Sequence, residues 1–136
     1  LIQAYAVALE GSGVHGPAYT RREGTLSTYR TNIELERILE RLAKSRPELG
    51  LRPVSLRGGY SEASVAIKRG YRSVALVGLD DRGYMPYWHT MQDTADKIRP
   101  EALATTWEVA ANLLQDLDRL PVSVKLASVR PLSERT

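Results

Sequence analysis

The run Ser73-Val74-Ala75-Leu76-Val77-Gly78-Leu79, apolar after its first residue and closed by Asp80-Asp81, limits the folds open to this chain more than any other stretch. A strand without polar alternation is covered on both faces, and helices are the elements that cover both faces of a sheet. Ile2-Gln3-Ala4-Tyr5-Ala6-Val7-Ala8-Leu9 repeats the pattern and reads as a second buried strand. Leu35, Ile38, Leu39 and Leu42 instead recur at helical spacing, as do Leu103, Trp107, Ala110, Leu114 and Leu117. Strand, loop, helix, strand, helix, strand, loop, helix is the order that results. It predicts an α/β fold, layered α/β/α, with a largely parallel or mixed sheet.

Cap and turn chemistry sets the boundaries. Asn32 predicts an N-cap with Glu34 and Glu36 in the first turns, where their charge suits the helix dipole, and Pro47 and Gly50 end that helix. Leu51 to Arg57 reads as a short strand whose Pro53 indicates an edge or an early position. Gly58-Gly59 leads into a helix capped by Ser61, with Glu62 in its first turn and Gly70 as its stop. Pro100-Glu101 opens the last helix, whose Leu103 to Leu117 stripe is expected to pack on the sheet. Ala18 to Arg30 reads as a polar connector, and Val122 to Thr136 as a weakly alternating tail that carries at most a late strand.

A chain of 136 residues suits one domain and buries a substantial core, filled by Leu, Val, Ile, Tyr and two Trp because Phe is absent. Its net charge of +3 is spread among acids rather than gathered on a face, which argues against nucleic-acid binding. No apolar stretch approaches the length of a membrane helix and no signal segment opens the chain, so membrane contact by this segment is not expected. The absence of cysteine excludes disulfides and thiolate metal sites. Because the chain opens on Leu1 and enters a strand at once, it reads as a piece cut from a longer protein.

Chemistry concentrates after the two apolar strands. Glu10 is the first polar residue beyond the first strand and precedes the loop Gly11-Ser12-Gly13-Val14-His15-Gly16-Pro17. His89 lies beyond the second, in Trp88-His89-Thr90-Met91-Gln92-Asp93-Thr94-Ala95-Asp96-Lys97-Ile98. Loops at the carboxyl ends of strands in open α/β sheets are where ligand sites form. A neutral imidazole is a good zinc ligand, and Asp93 and Thr90 are local candidates for organising its loop. Glu10 as a plain surface carboxylate, and Glu62 as a helix-start carboxylate serving the dipole, are the competing readings. Gly11-Ser12-Gly13 is neither a nucleophile elbow nor a phosphate loop.

His89-Thr90-x-x-Asp93-Thr94-x-Asp96-Lys97-Ile98 resembles the segment carrying the last zinc-binding histidine of the M28 family of dinuclear zinc aminopeptidases. Leu9-Glu10-Gly11-x-Gly13-x-x-Gly16-Pro17 is similar to the family branch with Glu rather than Asp as the metal ligand after the strand, although Ala8 stands where that branch has Asn. Glu62 occupies the place of a usual Asp in a Gly-x-Ser-Asp turn, and Arg99 replaces the Asp or Asn that ordinarily caps the last helix. The resemblance covers residues 4 to 118 and only the family's C-terminal half. It implies a partial zinc-exopeptidase fold over residues 1–120, with 121–136 as a tail.

The same resemblance implies Glu10 and His89 as zinc ligands on different ions of a two-zinc site, with Glu62, Thr90 and Asp93 in supporting or substrate-side roles. The general base and the remaining ligands would lie upstream, so this chain alone is expected to bind zinc weakly and to hydrolyse nothing. The parent would act on N-terminal peptide bonds of peptide substrates, in a secreted or membrane-tethered setting outside the cytosol. The rival expectation is a non-catalytic peptidase-like domain used for association, with self-association through an exposed sheet edge. An unrelated serine hydrolase is disfavoured, since no convincing Ser-His-Asp set is present.

Overall fold

A computed structural model describes residues 4–121. The tail from Val122 to Thr136, with its late strand, lies outside the described residues. Strands β1 (Tyr5–Glu10), β2 (Pro17–Gly24), β3 (Thr28–Arg30), β4 (Arg52–Arg57) and β5 (Arg72–Gly78) form one sheet. Helices α1 (Ile33–Ser45), α2 (Glu62–Lys68) and α3 (Pro100–Asp118) cover it. The α/β class is as expected, and the sheet is mixed. β1 runs parallel to β5, and β2 runs parallel to β4 but antiparallel to both β5 and β3.

β5 is the middle of the core, and its alternation divides that core in two. Val74 and Leu76 join Tyr19, Leu35, Ile38, Leu39, Val109 and Leu113 beneath α1 and α3. Ala75 and Val77 pack instead with Ala18, Ala63 and Leu79 beneath α2. An uninterrupted apolar run is what such double burial requires. Each fully buried aliphatic side chain contributes about 1.5–3 kcal/mol.

The caps hold as expected. The Asn32 side chain accepts from the Glu34 and Leu35 amides at 3.0 and 3.4 Å, and Ser61 Oγ accepts from Ala63 N at 3.1 Å. α3 starts at Pro100 with no side-chain cap. β4 pairs only with β2 among the described strands, so Pro53 does sit on an edge strand.

Three expectations fail in whole or in part. Ala18 to Arg30 is not a connector, because β2 and β3 occupy it and Ala18, Tyr19, Thr20 and Glu23 are buried. Thr20 and Glu23 satisfy one another inside. Thr20 Oγ1 donates to Glu23 Oε1 at 2.7 Å and accepts from Ala75 N at 3.2 Å, so these two buried polar residues are paired. The last helix meets its expectation only in part: Ala110 and Leu117 pack against the core, but Leu103, Trp107 and Leu114 are exposed, and Ala102, Thr106, Val109 and Leu113 are the buried residues. Thr106 belongs to the inner face because its hydroxyl donates to the Ala102 carbonyl, four residues back, at 3.0 Å. The first strand is only half-buried. β1 pairs with β5 alone among the described strands, and Leu9 is 55% exposed.

Candidate functional site

Parallel pairing of β1 with β5 sets Glu10 level with Val77, so the Glu10 loop and the His89 loop leave the sheet at the same end. Two glycines let the loops meet. A Cβ at Gly78 would stand 2.3 Å from the Gly11 carbonyl oxygen, a separation no side chain tolerates. Gly11 itself takes a left-handed φ of 57°, and a Cβ there would meet Met85 Sδ at 3.0 Å. Further along, the Arg99 amide donates to the Gly13 carbonyl at 2.6 Å and ties the glycine loop to the start of α3.

The His89 loop is a succession of tight turns anchored at both ends. Asp80 Oδ1 accepts from the amides of Arg82 and Tyr84, each at 2.9 Å, and Arg52 Nη2 donates to the Leu79 and Asp80 carbonyls at 3.2 and 2.8 Å. Backbone bonds from Trp88 N to Met85 O at 3.2 Å and from Thr90 N to Tyr87 O at 3.0 Å bracket His89. His89 has φ 58°, alone among the described non-glycine residues in the left-handed region. Its ring stacks on Trp88, with centroids 3.8 Å apart and planes 21° from parallel. Thr90 organises the loop as expected: its hydroxyl donates to Tyr87 O at 2.7 Å and accepts from Gln92 N at 3.2 Å. The Asp93 amide donates to Thr90 O at 3.2 Å, while its exposed side chain lines a small cavity of about 90 Å³ with Gly11, Gly78, Met85 and Trp88.

Glu10 and Glu62 come together. Partial burial pushes the Glu10 carboxyl up to about 7, reinforced by its hydrogen bond to Glu62, by the Glu62 charge and by the charge of Glu23. The bond from Glu10 holds Glu62 below the ordinary carboxylate range. Two carboxyls this close disfavour double ionisation, so the pair retains one proton at a pH where a lone carboxyl has lost it.

Glu23, which no motif or spacing marks out, stands behind this pair. It is 1% exposed and accepts from Ser61 N at 2.8 Å, from Ser61 Oγ at 2.5 Å and from Thr20 Oγ1. Ser61 starts α2, so these bonds fix where Glu62 begins and faces. A second cavity of about 230 Å³ opens beside Glu10 and is walled by Tyr60, Leu79, Tyr84, Met85 and Trp88. Of these, Trp88 stands in the quoted loop without a role of its own, and the cluster of Tyr84, Tyr87 and Trp88 just before the histidine is the available signal.

Carboxylate oxygen and imidazole nitrogen are donors that suit zinc. Their number does not close a site: among the described residues no three His, Asp or Glu side chains gather to hold a metal. No helix among the described residues is long and apolar enough to cross a membrane. Compared with protein-family models and with curated proteins, the chain matches none.

Proposed function

We propose that this chain is the C-terminal half of a zinc-dependent aminopeptidase domain resembling the M28 family. The observation that carries the reading is the placement of Glu10 and the His89 loop at one end of two adjacent parallel strands, joined through Gly11, Gly78 and Met85. Glu10 and His89 would hold metal, each serving a different ion. The remaining donors and the general base would come from sequence outside this chain. Zinc held there would supply Lewis acidity, which lowers the pKa of a bound water and polarises a carbonyl.

This chain's own residues prepare the site. Burial, reinforced by Glu62, raises the Glu10 carboxyl to about 7, so a cation bound there would displace a proton from part of the population at neutrality. The cavity walled by Tyr60, Tyr84, Met85 and Trp88 lies against Glu10 and gives a substrate side chain a largely apolar place beside the carboxyl. The test is hydrolysis of leucine p-nitroanilide by a chain extended upstream to include the other donors. Glu10→Ala and His89→Ala are each expected to abolish turnover while leaving the protein folded. Full activity in either variant contradicts the assignment.

A second reading, a non-catalytic association domain, is favoured by one observation. Leu103, Trp107 and Leu114 form an exposed apolar stripe on α3, and β1 has an unpaired side among the described strands. An extended chain that is folded, inactive and oligomeric would support it.

A further inference from the structure

A ligating histidine is ordinarily oriented by a hydrogen bond on its second ring nitrogen. Among the described residues, neither of the two best placed in sequence to supply one bonds the His89 ring. The Thr90 hydroxyl serves Tyr87 O and Gln92 N, and the Asp93 side chain lies exposed in the wall of the smaller cavity. His89 is itself exposed, so core packing does not hold it either. What meets the ring is the indole of Trp88, nearly parallel at 3.8 Å between centroids. Face-to-face contact restrains the ring's rotation and leaves its edge, where both nitrogens lie, free. The bracketing turns and the left-handed backbone fix where the Cα–Cβ bond points, and the stack fixes the plane. Trp88, itself half-exposed, lines both cavities and so borders the site on two sides.

We propose that Trp88 is a positioning residue for His89, holding the imidazole plane in place before any ion arrives; the metal part of this inference rests on the zinc-ligand reading of His89. The test is nuclear magnetic resonance of the upstream-extended chain, first without metal and then titrated with zinc, for the wild type, Trp88→Leu, Trp88→Phe and the control Trp107→Phe. In the wild type the His89 ring protons are expected upfield of their ordinary positions, with through-space contacts to the Trp88 ring. Trp88→Leu loses both, Trp88→Phe keeps them, and Trp107→Phe changes neither. The zinc concentration that half-shifts the His89 resonances is expected to rise about tenfold in Trp88→Leu and to return towards wild type in Trp88→Phe.

Backbone amide spectra unchanged away from the loop show that the variants fold. His89 protons at ordinary positions in the wild type, or equal zinc midpoints in wild type and Trp88→Leu, overturn the proposal. A wild-type ring that is stacked but unresponsive to zinc contradicts the zinc-ligand reading, and leaves the hold of Trp88 on the ring supported.

Discussion

His89 adopts a left-handed backbone, φ 58°, which costs a residue with a side chain roughly 1–2 kcal/mol. His89→Gly is therefore expected to be more stable than His89→Ala by about 1 kcal/mol in urea denaturation, although both lose the ring. Equal stabilities would show that the turn relaxes. Glu10 makes a pH prediction. Its folded value of about 7 lies above its unfolded value of 4.5, so the folded state holds the proton more tightly. That stabilisation is complete below about 4.5 and is lost as pH rises through about 7. Glu62 is shifted downward, so its contribution is present above the ordinary carboxylate range and is lost as pH falls below it. In metal-free protein the melting temperature should fall across the Glu10 window, and Glu10→Gln should flatten that fall. A wild-type profile already flat there would contradict the retained proton.

β2 and α2 meet through one buried carboxylate. Glu23→Ala would leave Ser61 N, Ser61 Oγ and Thr20 Oγ1 without their acceptor, at an expected cost of about 3 kcal/mol in equilibrium unfolding. In α3, Leu113→Ala should cost about 2–5 kcal/mol and Leu114→Ala well under half as much, because only the former faces the core. The reverse ranking would restore the stripe expected from the sequence. These elements also show where the sequence was legible. β5 could be read because both its faces are apolar, and α1 because Asn32 and the Leu35–Leu42 stripe agree. β2 could not, because Thr20 and Glu23 are buried polar residues whose partners, Ala75 and Ser61, lie far along the chain. The α3 stripe was partly misassigned because both sides of that helix carry apolar residues, and the inner one includes a threonine satisfied by its own helix.

Across the molecule, the mixed sheet gathers one end of β1 and β5 into a site and leaves the other side of β1 without a partner among the described strands. Glu10 and His89 are legible as candidates from their positions beyond apolar strands, whereas Glu62 is a candidate only through the resemblance of its Gly-x-Ser turn. The aromatic wall and the Glu23 support required the fold, since contacts between distant segments leave no periodic trace. The central claim is that Glu10 and His89 are two of the donors of a two-zinc site. Calorimetric titration of zinc into the upstream-extended chain tests it most directly. Two ions bound per chain, with binding weakened by both Glu10→Ala and His89→Ala, is the predicted result. A folded extended chain that takes up no zinc would contradict it.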